Sequence, residues 1–221
     1  MINSELYVKC DKPLRVLGID LGTTNSVMTE INWQPGSTPE TKVIQIEQDT
    51  PMGCFTDILF PSVVALQAGK VWVGEGANRM KRNPQEYKLT QCKILFSETK
   101  LDMGISKTYA NAPEGFSSAS EIAGHIINSM IQHAKSTDDS PIDYVVVTVP
   151  ASFQIAQRWD TLLAAELGGV AISGGNLLDE PIAALIDYLH CISSADDLPQ
   201  FDADTNILVF DFGGGTCVMW R

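Results

Sequence analysis

Residues 15–31 read RVLGIDLGTTNSVMTEI, and they carry the clearest structural pattern in the chain. Its two apolar runs, RVLGID and SVMTEI, flank LGTTN, a spacing that predicts an antiparallel hairpin with a glycine-containing turn. Asp20 ends the first strand, and Gly22 permits a tight turn. The backbone N–H groups and hydroxyls of the turn come from Thr23, Thr24 and Asn25. Successive N–H groups in a turn form a concavity that binds anions, so the stretch predicts a phosphate loop. The alternative is a simple hairpin turn of small polar residues.

A second stretch with the same order of residues lies near the end of the sequence. Residues 208–216 read LVFDFGGGT, an apolar strand followed by Asp211 and a glycine run. The residues of this second loop are Gly213, Gly214, Gly215 and Thr216. Each ordered glycine costs about 0.5–1 kcal/mol relative to alanine in a regular element, so three in succession predict close backbone approach to a ligand such as phosphate. A flexible hairpin is the alternative. Asp20 and Asp211 would repel phosphates without a cation, which predicts Mg²⁺.

Composition and charge exclude several classes of function. The chain has 221 residues and a formal net charge of −12, which argues against nonspecific binding to nucleic acids or anionic membranes. No apolar run approaches the roughly 20 residues needed to span a bilayer. The five cysteines form no C-x-x-C pair, so neither a disulfide framework nor a zinc ribbon is expected. We expect a reduced, cytoplasmic protein that has no membrane or nucleic-acid partner.

Periodicity divides the chain into a core and an insertion. Residues 1–14 are predicted to be an N-terminal extension, and residues 41–47 a third strand that continues the opening meander. The block 51–117 changes character: FPSVVAL and KVWVG predict a hairpin, EGANRMKR a helix that ends before Pro84, and 97–118 a surface loop with weak strand. This block is predicted to be an inserted small α+β subdomain. Residues 15–50 and 118–221 would then form the core.

The second half alternates helices and strands. An apolar face at helical spacing predicts a helix from Ser118, with Glu121 completing a capping box. Residues 143–150 form an apolar run typical of a strand buried on both faces. A helix is predicted over 154–167 and another over IAALIDYLHC, before the closing strand 206–212. The alternation predicts an α/β fold whose mixed central sheet has parallel pairing in this half and flanking helices.

An ordered series of motifs resembles the N-terminal lobe of the ATPase domain of the Hsp70 chaperones, an actin-like (ribonuclease H-like) fold. The segments VLGIDLGTTNSVM and LVFDFGGGT resemble the two phosphate loops found throughout the actin/hexokinase-like superfamily. The segments FPSVVAL with VWVGEGA, VVVTVPASFQIAQR and LLDEPIAALIDY resemble further Hsp70 segments in the same order. TVPASF with QR, and DEPIAAL, are specific to Hsp70-like members.

The resemblance implies roles for particular residues. Asp20 and Asp211 would contact Mg²⁺ through water, Lys93 would reach the terminal phosphate and Glu180 would position the attacking water. The phosphates of ATP or ADP would lie against Gly22, Thr23, Thr24, Asn25, Gly213, Gly214, Gly215 and Thr216. Thr216 would also take part in catalysis. K⁺ is a further cation that could accompany Mg²⁺. Pro150 and Arg158 would couple the nucleotide state to the rest of a chaperone.

Each of these residues also has an ordinary structural interpretation. Lys93 and Arg158 could be surface charges, and Pro150 could end a strand. Glu180 could open a helix, because the helix dipole stabilises a carboxylate at that position. Asp20 and Asp211 could cap their turns. The chain also departs from the family pattern at four positions: Ser152, Gln154, Ile155 and Val218 stand where the family has Tyr, Asn, Asp and Asp. A further departure is DEPI, where the family has NEPT. Nucleotide binding is therefore a firmer expectation than turnover or coupling.

The resemblance implies an ATPase that drives the folding of peptide clients together with co-chaperones in a full-length protein. Whether the chain is itself an enzyme is left open. We expect it to be a fragment that lacks a second lobe and a substrate-binding domain, and to have no meaningful ATPase activity alone. The alternatives are a divergent Hsp70-like nucleotide-binding scaffold without chaperone turnover, and another superfamily ATPase such as an actin relative or a small-molecule kinase.

Overall fold

The computed structural model describes residues 11–106, 108–192, 207–212 and 217–220, and gives only the backbone for 210–212 and 217–220. The strands are β1 Leu14–Asp20, β2 Asn25–Trp33, β3 Glu40–Val43, β4 Ile46–Thr50, β5 Gly53–Asp57, β6 Phe60–Pro61, β7 Val63–Gln67, β8 Lys70–Val73, β9 Leu95–Ser97, β10 Tyr144–Val149, β11 Leu177–Asp179, β12 Val209–Phe212 and β13 Cys217–Trp220. The helices are α1 Glu75–Arg82, α2 Ala119–Thr137, α3 Ile155–Leu167 and α4 Glu180–Ile192, with short 3₁₀ helices at Thr99–Asp102 and Gly174–Asn176.

The central sheet is mixed, as the sequence predicts. Its strand order is β11-β10-β1-β2-β3, and β6 pairs with the start of β2. β1 and β2 form the expected antiparallel hairpin, whereas β10 is parallel to both β1 and β11. The β1–β10 register places Asp20 opposite Thr148. Because parallel strands end at the same edge, the carboxyl ends of β1, β10 and β11 lie together.

Helix α2 supplies much of the core that supports this sheet. The side chains on its predicted apolar face are all buried and cluster with Leu17 and Ile19 of β1: Ile122, Ile126, Ile127, Met130, Ile131 and Ala134. The Ser118 hydroxyl accepts a hydrogen bond from the Glu121 N–H, as predicted, but the Glu121 carboxylate accepts from the N–H of Ser117 rather than that of Ser118. The half of the predicted capping box that involves the Ser118 hydroxyl is therefore present. In the other half, the Glu121 carboxylate binds the N–H group one residue before the one expected.

A buried arginine joins the sheet to the end of α2. Arg15 is 4% exposed, and its guanidinium donates to the carbonyl oxygens of Ala134, Asp138 and Ser140. Its Nε lies 2.6 Å from Oε1 of Glu30, which is 1% exposed and also bonds Lys42 at 2.5 Å. The last carbonyl groups of a helix have no intrahelical partner, so this arginine both caps α2 and neutralises a buried carboxylate.

The inserted block is more closely integrated with the core than predicted. The stretch 41–47, predicted as one strand, divides: β3 pairs with β2, whereas β4 pairs with β5. The Ile44 N–H still donates to the Met28 carbonyl, after which the chain leaves the central sheet. The expected hairpin is present as β7–β8, where Ala68 and Gly69 both have positive φ, and β9 adds to β7 on its other side.

The prediction that 97–118 is surface loop and weak strand was wrong in part: the described residues are mostly irregular, but not all of them lie at the surface. Met103, Tyr109 and Phe116 are almost fully buried in the main core, and the Tyr109 hydroxyl donates to Asp102. Three apolar residues without helical or strand periodicity give no pattern that distinguishes a buried loop from an exposed one.

The later elements agree with the sequence in part. Helix α1 ends before Pro84, and α3 ends before Gly168, as expected. In β10 alternate residues are buried and the others are half-buried or exposed, so the strand is not buried on both faces among the described residues. β12 pairs with β13 and, within the described ranges, joins no strand of the central sheet. Among the described helices, none has both the length and the apolar character needed to cross a membrane.

We predict that Glu30→Gln destabilises the protein by about 3 kcal/mol at neutral pH, because the buried Arg15 guanidinium then keeps only the more distant and partly exposed Asp138 carboxylate, 3.8 Å from its Nε, as an acidic partner among the described residues. Urea unfolding measures the loss. Glu40→Gln, which removes an exposed carboxylate on β3, is the control and should change the free energy of unfolding by less than about 0.5 kcal/mol. Equal stability of the two variants would contradict the importance of the Arg15–Glu30 pair.

This stability difference should depend on pH. Burial of the Glu30 carboxyl opposes ionisation, but hydrogen bonds from Lys42 and Arg15 outweigh burial and lower its pKa below the ordinary value of 4.5. A lowered pKa contributes stability above the unfolded pKa, and that stability is lost as the pH falls through the folded pKa. The gap between wild type and Glu30→Gln should therefore narrow below about pH 4.5.

Candidate functional site

The candidate site lies at the carboxyl edge of β1, β10 and β11. Asp20 is exposed at the end of β1, and its carboxylate accepts a hydrogen bond from the Thr148 hydroxyl at 3.0 Å. Glu180 directly follows β11, whose Asp179 lies opposite Val149. The registers place Glu180 two strands across from Asp20 and two residues further along. With neighbouring strands about 4.8 Å apart and a rise of about 3.3 Å per residue, the two backbones are separated by roughly 12 Å. The fold thus brings two of the predicted site residues to one edge of the sheet.

The loop between β1 and β2 has the close backbone approach that its glycine predicts. A Cβ atom on Gly22 would lie 1.9 Å from the Asn25 carbonyl oxygen, so no side chain fits there. The N–H groups of Gly22, Thr23 and Thr24 donate to no residue within the described part of the chain. Thr24 and Asn25 are exposed. The loop therefore presents backbone donors that an anion could accept.

Ser62 fixes the orientation of this loop, and sequence reasoning missed it. Its N–H donates to the Thr24 carbonyl at 2.8 Å, its hydroxyl donates to the Gly22 carbonyl at 2.7 Å, and the hydroxyl also contacts that of Ser26 at 3.0 Å. With these carbonyl oxygens turned towards Ser62, they cannot face a bound anion. Ser62 lies in FPSVVAL, so the sequence placed it in a hairpin. It gave no sign that Ser62 contacts Gly22, which lies 40 positions earlier in the chain.

Two ion pairs surround the start of α4. Lys100 Nζ lies 2.9 Å from Glu180 Oε1, and Arg158 donates to Asp179 at 2.5 Å. Arg158 also donates to the carbonyl of Phe153, whose ring centroid is 5.6 Å from Lys100 Nζ. We call these five residues the α4 entry cluster. Each of its two adjacent carboxylates has its own cation, so the cluster adds little net negative charge to the edge.

The other predicted site residues are placed less centrally or lie outside the description. Lys93 is exposed in the turn before β9, and its amino group makes no ion pair with the residues that the structure describes. Pro150 follows β10, and its carbonyl accepts from the Phe153 N–H. Asp211 is described only as backbone of β12. Gly213, Gly214, Gly215 and Thr216 lie outside the described residues.

The described residues fit a bound phosphate and a hydrated cation better than a directly ligated metal. No group of three or more histidine, cysteine or acidic residues is placed to hold a metal within the described ranges. Mg²⁺ usually keeps several waters and needs only one or two protein carboxylates, which the exposed Asp20 can supply. A cavity of about 70 Å³ adjoins Thr23 and Thr24 and reaches Asn78 and Lys81. Ligand pockets are usually about 300–1,000 Å³, so this cavity alone could not hold a nucleoside.

We predict that Gly22→Ala disrupts the loop, because its methyl group would collide with backbone rather than with a movable side chain. The expected cost is about 2 kcal/mol or more in the free energy of unfolding, with shifted amide signals for residues 21–26. Gly174→Ala is a matched control, since nothing lies within 4 Å of a Cβ there. A Gly22→Ala protein as stable as the control would contradict the described loop geometry.

Comparison with known protein families gives an independent result that agrees with this arrangement. The family model described as Hsp70 protein matches residues 16–219. The match covers both loop stretches, the inserted block and the helices that frame the site. It extends over most of the 221 residues and is not confined to one motif. The chain belongs to the Hsp70 protein family and has the mixed α/β architecture of an Hsp70-type nucleotide-binding domain.

Proposed function

We propose that this chain binds the phosphates of Mg²⁺–ATP and Mg²⁺–ADP at the carboxyl edge of its parallel strands. The proposal rests on the loop after β1, where three successive N–H groups have no acceptor among the described residues while Ser62 binds the carbonyls of Gly22 and Thr24. Such a loop attracts anions without any lysine or arginine of its own. A net charge of −12 makes this local arrangement necessary, since the protein as a whole repels nucleotides.

The proposed roles follow from position on the edge. The loop from Gly22 to Asn25 would donate backbone and hydroxyl hydrogen bonds to phosphate oxygens. Asp20, held by Thr148, would orient water molecules around the cation. Bound Mg²⁺ would neutralise phosphate charge and polarise the terminal phosphate. We propose that Asp211 and the second loop, Gly213–Thr216, contribute to the same phosphates, as the family resemblance implies.

Hydrolysis would need residues beyond the loop. Glu180 opens α4 at the same edge, and its carboxylate could orient a water molecule for attack on the terminal phosphate. Lys93 lies in the exposed turn before β9, and its proposed role is to donate to the terminal phosphate. Orienting the attacking water and positioning the terminal phosphate are distinct tasks: Glu180 would perform the first and Lys93 the second.

The wider proposal is that the nucleotide drives a peptide-folding cycle with co-chaperones in a longer protein. Arg158 is suited to such coupling, because it joins the segment after Pro150 to Asp179 next to Glu180. The scaffold alternative is favoured by the altered helix entrance at α3, where Ile155 is 87% exposed at a position that is Asp in the family pattern. Gln154 keeps a local role there, its N–H donating to the Gln157 side chain.

We expect Mg²⁺–ATP, added at millimolar concentration, to shift the backbone amide signals of Gly22–Asn25 in ¹H–¹⁵N NMR spectra and to saturate them. A millimolar dissociation constant corresponds to about −4.1 kcal/mol, enough for a partial site. Adenosine, which lacks phosphate, should leave these signals unchanged. Equal shifts with adenosine and ATP, or no shifts in the loop, would contradict the phosphate site.

We further expect Asp20→Asn to weaken Mg²⁺–ATP binding by about ten-fold and to reduce its dependence on Mg²⁺, since a carboxylate holds the hydrated cation better than an amide does. Asp139→Asn removes the same charge from an exposed loop and serves as the control. The same amide titration measures both variants. If both weaken binding equally, or neither does, Asp20 is not the cation-binding carboxylate.

A further inference from the structure

Lys100 is unusually enclosed for a lysine. Its side chain is 11% exposed and that of Glu180 is 17% exposed, with Nζ and Oε1 2.9 Å apart. A lysine ammonium rarely leaves water unless it is paired, because burial of an isolated charge costs several kcal/mol. The pair joins two segments 80 residues apart in the sequence, one from the inserted block and one from the core. Nothing in the sequence motifs assigns a role to this lysine.

The surroundings of Lys100 hold it at the candidate site. It lies in the 3₁₀ helix Thr99–Asp102, whose Thr99 is buried and which packs against α2. The Phe153 ring lies on the same side, with its centroid 5.6 Å from the ammonium. Phe153 belongs to the segment that leaves β10, and Glu180 to the segment that leaves β11. The ammonium is therefore fixed at the ends of two of the parallel strands that form the edge.

The charge of Lys100 is not required elsewhere in the α4 entry cluster. Asp179 has its own cation in Arg158, at 2.5 Å. Lys100 therefore serves Glu180, whose carboxylate would otherwise repel a phosphate arriving at the same edge. An ammonium has three donors, so it can keep a carboxylate partner and still donate to another oxygen.

We propose that Lys100 is a further residue of the phosphate site: it holds Glu180 in place and donates to a phosphate group bound at this edge. The inference rests on the proposed nucleotide function and adds a cation that the family resemblance did not indicate. Lys100 differs from Lys93 in being enclosed and in pairing with Glu180 at the edge, whereas Lys93 is exposed.

The experiment uses opposite charge changes at one ion pair. Lys100→Met and Glu180→Gln break the same contact, but the first removes a positive charge and the second a negative one. Lys100→Met should weaken Mg²⁺–ATP binding by about ten-fold, the order expected for a hydrogen bond between charged groups. Glu180→Gln should strengthen it by about three-fold, because it frees the ammonium for the phosphate. Lys100→Arg should restore most of the affinity.

Lys70→Met is the control. Lys70 also pairs with a carboxylate, Asp49, but it is half-exposed in the inserted block and stacks on Trp72. This variant should bind Mg²⁺–ATP like wild type. All affinities are read from the amide shifts of the loop after β1, and circular dichroism checks that each variant is folded.

The outcomes separate the two proposals. If wild type shows no phosphate-dependent shifts, the proposed function fails and the role of Lys100 fails with it. If wild type binds but Lys100→Met binds as well as Lys70→Met, only the inference about Lys100 is overturned. If Lys100→Met and Glu180→Gln weaken binding equally, the pair is merely structural and the inference is again overturned. If Lys100→Met does not fold, the other two variants decide. Stronger binding by Glu180→Gln together with near wild-type binding by Lys100→Arg supports the role of Lys100. Weaker binding by Glu180→Gln overturns it.

Discussion

The parallel pairing of β1 with β10 is the constraint on which the site depends. Their register sets Asp20 opposite Thr148, and the next parallel strand, β11, places Glu180 on the same edge. Asp20 is 128 positions from Thr148 in the sequence, so only this pairing brings the two together. The buried Arg15–Glu30 pair joins β1 to β2, and the apolar face of α2 packs against both β1 and β10. A shift of one residue would turn Leu17 and Ile19 towards the opposite face of the sheet.

The loop after β1 offers the backbone donors with which we propose that this acidic protein binds an anion. Ser62 takes the carbonyl groups of Gly22 and Thr24, and the N–H groups of Gly22, Thr23 and Thr24 donate to no residue that the structure describes. The inserted block thus contributes to the site twice, through Ser62 at the loop and through Lys100 at Glu180. Movements of this block relative to the core would alter both contacts together, which offers a physical route by which a bound phosphate could be sensed.

The sequence predicted those features that depend on local patterns. Alternating and helical periodicities located β1, β2 and α2, and the collision of a Gly22 side chain with backbone agrees with the tight turn inferred there. It did not predict the division of 41–47, because the alternation continues through Ile44 while the pairing partner changes from β2 to β5. Burial of Met103, Tyr109 and Phe116, and the contacts of Ser62 and Lys100, depend on distant segments and leave no local pattern.

We propose that these features together bind a metal–nucleotide complex at the carboxyl edge of the parallel strands. The decisive measurement is the paramagnetic broadening of amide signals by Mn²⁺–ATP, because this broadening falls steeply with distance from the cation. We expect broadening that is strongest at Asp20–Asn25, weaker at Asp179–Glu180, and absent when adenosine and Mn²⁺ are added together. Broadening centred on another surface, or identical broadening by Mn²⁺ without ATP, would show that the complex does not bind at this edge.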